Sequence, residues 1–74
     1  MKTLLSLKPG HSAKIVGYDN LNNSLLRRIC DLGLTKGQKV VITSRSLLKK
    51  ALLVEVRGYL LSLKSDIAKG VIVE

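Results

Sequence analysis

Residues 51–64 read Ala-Leu-Leu-Val-Glu-Val-Arg-Gly-Tyr-Leu-Leu-Ser-Leu-Lys. Leu52, Val54 and Val56 alternate with Leu53, Glu55 and Arg57, and past the glycine Tyr59, Leu61 and Leu63 alternate with Leu60, Ser62 and Lys64. A period of two belongs to a strand with one face buried, because successive side chains of a strand point to opposite sides. Arg57-Gly58 is the reversal between two such runs, so the stretch is a β-hairpin. Its register has little freedom: a slip by one residue would turn Glu55 inward and Val54 and Val56 out to water.

On either side of this hairpin the chain is rich in branched aliphatic residues. Lys39–Arg45 and Gly70–Val73 read as further strands, and Ser65–Lys69 between is too short for more than one helical turn. Upstream, Ser12–Tyr18 is a strand with Ala13 and Ile15 inward, and Gly17 within it marks a bulge or close backbone approach. Pro9-Gly10 has the residues of a type II turn, which ends a short strand over Thr3–Leu7. Between Asn22 and Leu34 the period changes: Leu25, Leu26, Ile29 and Cys30 recur at helical spacing. This predicts one amphipathic helix over about Asn23–Leu32, with Asn22, Asn23 or Ser24 as N-cap and Gly33 as the left-handed residue that closes it. The expected architecture is mainly β, a small SH3-like barrel of five to six short antiparallel strands with one inserted helix and a helical turn before the last strand. Its core is drawn from Ile15, Val40, Ile42, Leu52, Val54, Val56, Leu61, Leu63, Val71 and Val73, with Leu25, Leu26, Ile29 and Cys30 facing it from the helix.

At 74 residues the chain holds one hydrophobic core, so 1–74 is read as a single domain. Leu, Ile and Val supply 27 residues, too many for a disordered chain. The longest run without a formal charge, Asn20–Leu26, has seven residues, against the roughly 20 apolar ones a membrane helix needs. A cytoplasmic protein with no direct membrane insertion is expected. One cysteine excludes an intramolecular disulfide, and no Cys or His pair has zinc-type spacing. The net charge is +8, which raises nucleic acid or an acidic protein face as the partner. Both halves carry net +4 and the only aromatic residues are Tyr18 and Tyr59, a poor supply for stacking bases. That composition favours the protein face over RNA.

Three stretches taken together resemble the FeoA family of ferrous iron transport proteins: L-x-x-G-x-x-A-x-I at Leu7–Ile15, R-R-I-C-D-L-G-L-T-K-G at Arg27–Gly37, and L-L-V-E-V-R-G-Y-L-L-S-L-K at Leu52–Lys64. The closing D-I-A-K-G-V-I-V-E fits the same pattern. The resemblance implies a small cytosolic SH3-like domain that accompanies FeoB, the ferrous iron permease with a cytosolic G-protein domain. It implies no catalysis and no cofactor. The same domain type forms the C-terminal module of iron-dependent repressors, and a chain that starts at Met1 without a DNA-binding domain favours the transport accessory. Two departures stand out. Where relatives often have a Gly-Asp-Pro type turn this chain has Ser46-Leu47-Leu48-Lys49-Lys50, and it has Lys36 where relatives have proline.

Candidate sites are weighed against their structural roles. His11, the lone histidine, begins a strand far from Cys30 and Asp31, and nothing places a base beside a nucleophile. Cys30 and Asp31 are adjacent on a helix and point about 100° apart, which suits core packing of the cysteine better than a shared metal ion. Asp31 opposes the helix dipole, and is expected to accept from backbone amides near residues 33–35 or pair with Arg27, with a partner contact as the functional alternative. Arg27, Arg28 and Arg57 can grip carboxylates in two parallel hydrogen bonds. Leu47, Leu48, Leu53 and Leu60 fall at tips or outward positions and, if contiguous, form an apolar docking patch. Arg27, Arg28, Asp31, Leu47, Leu48 and Arg57 are accordingly the partner-binding candidates. The expected partner is the cytosolic region of a FeoB-type permease, with an RNA-binding barrel, a metal-sensing module and self-association as alternatives.

Overall fold

The computed structural model describes residues 2–46, 48 and 50–74. Its elements are a 3₁₀ turn at Leu4–Ser6, then β1 (Ser12–Tyr18), α1 (Asn23–Asp31), β2 (Lys39–Arg45), β3 (Ala51–Val56), β4 (Tyr59–Lys64), α2 (Ser65–Ala68) and β5 (Val71–Val73). The five strands form one antiparallel sheet in the order β4-β3-β2-β1-β5. It curls in the SH3-like manner without pairing β4 to β5.

The 51–64 hairpin has the expected register, with Leu52 opposite Leu63, Val54 opposite Leu61 and Val56 opposite Tyr59. Arg57 and Gly58 both have positive φ, 53° and 85°. That is the turn whose twist matches two antiparallel strands, and it leaves Glu55 exposed while Val54 and Val56 are buried. β1 is bulged between Ile15 and Gly17, which turns Val16 outward, and β2 carries a second bulge between Ile42 and Ser44. Each adds a residue to one strand and lets a short sheet curl around its core.

Residues 3–7 are not the expected strand. Only Thr3 bridges the sheet, to Ile72, and Leu4–Ser6 wind into the 3₁₀ turn. The Ser6 hydroxyl donates to the Thr3 carbonyl at 2.7 Å and accepts from the Thr3 amide at 3.1 Å. Leu4 and Leu7 explain the choice, because both are buried and a three-residue period puts them on one face where strand alternation would separate them. Together with Leu34 and Ala68 they join the core beside the residues expected there, while Leu61 is only partly buried.

Helix α1 is capped at both ends. The Asn22 side chain accepts from the Leu25 amide at 2.8 Å. At the other end Gly33, with φ 104°, sends its N–H to the Cys30 carbonyl, and Leu34 sends its own to Ile29, both at 3.0 Å. This six-to-one and five-to-two pair of bonds satisfies the last carbonyls and carries Leu34 into the core.

Candidate functional site

Of the four α1 residues expected to face the barrel, Ile29 is fully buried and Leu26 packs against the core, whereas Leu25 and Cys30 turn to the flanks. Only a narrow stripe of the helix therefore meets the core. Leu25 lines a cleft. Cys30 is half-buried, its Sγ 3.5 Å from the Tyr18 hydroxyl, which donates to the Leu34 carbonyl at 2.6 Å. Burial, and then the hydrogen bond and charge of Cys30, push the Tyr18 pKa up to about 12. Cys30 thus helps tie the helix terminus to β1.

Arg27, Arg28 and Asp31 are exposed. Asp31 has neither partner expected for it: among the described residues it makes no ion pair with Arg27 and no hydrogen bond to the amides of residues 33–35. The reason lies in the cap, since the Gly33 and Leu34 amides are already taken by the Cys30 and Ile29 carbonyls. An exposed carboxylate at a helix C-terminus costs about 0.3–1 kcal/mol and is open to an outside donor. Arg57 is exposed but engaged, its Nε donating to Gln38 Oε1 at 3.1 Å. Leu47 lies outside the described residues. Leu48 is 75% exposed at the β2–β3 connection. Leu60 is exposed and Leu53 half-buried on the convex face of the sheet, where they sit diagonally and, with Val41, surround Glu55. The structure therefore brings Leu53 and Leu60 together.

Two features escaped the reading of the residues. The first is Arg45, which follows the β2 bulge and so turns inward, where its Nη2 donates to the Leu5 carbonyl at 2.6 Å and to the Leu7 carbonyl. The second is a cleft of about 410 Å³ between α1 and the β4–α2 corner. Leu25, Ile29, Leu32, Leu63 and Ile67 form its apolar wall, and Arg28, Lys64 and Asp66 stand around it. Neither was legible, because each depends on how a helix or a bulged strand lies across an element distant in sequence. No group of three or more His, Cys, Asp or Glu side chains converges among the described residues. Among these residues, too, no helix is long and apolar enough to cross a membrane.

A family model for the FeoA domain matches residues 2–74. The chain belongs to the FeoA family. Solved structures agree with the assignment. The chain is 30% identical to the zinc-complexed FeoA of Stenotrophomonas maltophilia, an SH3-domain protein, covering 100% of this chain and 91% of that one with a TM-score of 0.85. It is 29% identical to the FeoA protein of Chlorobium tepidum, covering 99% and 69%, with a TM-score of 0.91. For the FeoA-like protein of Clostridium acetobutylicum the values are 26%, 100% and 87%, and 0.86. A manganese-dependent transcriptional repressor shares the fold alone, at 16% identity over 35% of its own chain and a TM-score of 0.89. A comparison with curated proteins gives no match. In this chain a curled sheet presents one inserted helix, and its exposed side chains lie on the flanks of that helix and on the convex face of the sheet.

Proposed function

We propose that this FeoA-family protein is a noncatalytic accessory of ferrous iron transport that docks to the cytosolic region of a FeoB-type permease and biases its assembly or gating. The observation that carries the reading is the family match over residues 2–74. The surface supports it: the chain offers an exposed arginine pair on α1, a carboxylate without an internal partner at Asp31, and an apolar cleft beside them. Such a module acts on its partner only through a difference in affinity for two of the partner's states. Arg27, Arg28 and Asp31 are the contacts proposed on the helix, and Leu48 the contact proposed on the β2–β3 connection.

The test is retention of the protein by the immobilised cytosolic region of the permease, measured at low and moderate salt and followed by ferrous iron uptake in cells that lack and regain the gene. Docking through apolar and paired groups predicts retention that survives moderate salt. Retention that collapses as salt rises, together with equal binding to RNA, is the behaviour of a phosphate binder and would sink the docking reading.

A further inference from the structure

A sheet of five strands that does not close has two edges, and this one treats them differently. The β5 edge is covered: Thr3 bridges Ile72, and the Val73 amide donates to the Lys2 carbonyl at 2.9 Å. At the β4 edge no strand follows among the described residues. The Ser65 amide donates to the Lys50 carbonyl at 2.9 Å, which fixes the phase of the β3–β4 ladder. Antiparallel pairing alternates, so Tyr59, Leu61 and Leu63 turn their backbone groups toward β3 while Leu60 and Ser62 turn theirs away from the sheet. Among the described residues nothing pairs with those outward N–H and C=O groups. An uncovered edge is a template for another strand, and natural proteins usually cover, shorten or charge such edges.

The apolar cleft runs beside this edge. Ser62, Leu63 and Lys64 line it from β4, and Leu25 and Leu32 from α1. A strand added to β4 would direct alternate side chains onto Leu25 and Leu32, so main-chain pairing and apolar burial would be gained together. The charge around the site selects the occupant. Arg28 and Lys64 stand at the cleft and Lys50 beside Lys64, while the single acid there, Asp66, lies 3.8 Å from Lys69 Nζ. A second copy is a poor fit, because β4 itself carries Lys64 and no acid and each copy carries +8.

We propose that the β4 edge and its cleft bind an extended segment of a partner protein, with apolar residues alternating with acidic ones, as a sixth strand of the sheet. This rests on the docking reading above and specifies its mode. It also assigns Leu25, Leu32 and Ser62 a binding role.

The experiment uses two capped octapeptides, alternating valine with glutamate and valine with lysine, titrated into the isotope-labelled protein and followed by NMR. The glutamate peptide is expected to shift the Leu60 and Ser62 amides and the Leu25 and Leu32 methyls, and to bind at least tenfold tighter than the lysine peptide at low salt. Ser62→Pro removes an outward N–H and leaves the β3–β4 ladder whole, since an edge strand tolerates proline there. Leu25→Asp charges the cleft from a half-buried position on the helix. Each is expected to weaken the glutamate peptide at least tenfold in a protein whose melting temperature and spectrum show it folded. Equal binding of the two peptides, shifts confined to another surface, or unchanged binding by both variants overturns the proposal. So does a concentration-dependent dimer abolished by Ser62→Pro, which would make a second copy the occupant. The permease's cytosolic region is then offered the same variants. If it retains wild type and Ser62→Pro alike, the strand-addition mode is wrong and the permease reading stands. If it retains no wild-type protein while the peptide results hold, the permease reading is wrong and the edge site stands.

Discussion

Replacing Arg45 by alanine should loosen the N-terminal segment from the barrel. Arg45 reaches across from β2 and donates to two carbonyls of the 3₁₀ region, those of Leu5 and Leu7, in a partly buried setting. A hydrogen bond to a charged group contributes about 1.5–3 kcal/mol, but in a setting only partly buried the two carbonyls regain some water when the guanidinium is removed. The net loss is therefore put at about 2–3 kcal/mol rather than the sum of two full bonds. At about 4–8 °C per kcal/mol for a domain of this size, the midpoint of thermal unfolding should fall by roughly 8–24 °C. The loss should also be local. Residues 2–7 cover the β5 edge, so the Val73 amide, bonded to the Lys2 carbonyl, should exchange with solvent faster than the amides of the β3–β4 ladder, and the variant should aggregate more readily as a second edge opens. Thermal circular dichroism and native-state hydrogen exchange measure both effects. A midpoint lowered by less than about 4 °C, with Val73 as protected as before, would refute the reasoning and show the N-terminal leucines to be held by burial alone. Arg45→Lys should recover less than half the loss, since both bonds come from Nη2 at the far end of the guanidinium and the shorter lysine side chain does not carry its nitrogen as far.

Gly70→Ala should cost about 2–4 kcal/mol, because a Cβ there would lie 2.8 Å from the Asp19 carbonyl oxygen and 2.7 Å from Leu21 Cδ2, and relieving the overlap breaks the Asp19–Gly70 backbone bond; urea denaturation checks it, and a change below about 1 kcal/mol would contradict the geometry. Cys30→Ala should lower stability by about 1 kcal/mol, from a small void beside Tyr18, and leave binding to the permease region unchanged; lost binding at an unaltered melting temperature would reopen a ligand role for the thiol. Tyr18 titrates near 10 when unfolded and near 12 when folded, so the folded state holds its proton longer and stability should fall as pH rises from about 10 to about 12. Tyr18→Phe should lack that extra slope in unfolding free energy against pH, and an identical slope would show that Tyr18 is not its source.

What could be read from the residues was whatever depends on near neighbours in the chain. The 51–64 hairpin is specified by its own alternation and by Arg57-Gly58, and helix α1 by an amphipathic repeat bracketed with Asn22 and Gly33, which cap it as their side-chain chemistry and φ preference require. The bulge at Gly17 was legible for the same reason. Where local rules offered two solutions, packing chose. Residues 3–7 satisfy strand propensity, yet Leu4 and Leu7 had to reach one core, and the core lies where β5 and α2 place it.

The candidate site was legible in part. Arg27, Arg28 and Leu48 are exposed, as helix and tip positions suggested, but Asp31 makes no pair with Arg27, and the Gly33 and Leu34 amides are taken by the very cap that Gly33 foretold. Arg45 belongs to a strand whose parity is reversed by a bulge at Thr43 that nothing in β2 announces, so its inward turn follows only from the pairing of β2 with β3. The cleft and the uncovered β4 edge are further still from the sequence. Hydrophobic period determines that β4 is a strand and which of its faces is apolar; it does not determine which strand ends the sheet or where α1 comes to rest. Those are outcomes of strand order and of how far one helix can cover a curled sheet, and they arise from contacts between elements many residues apart, which no local pattern encodes.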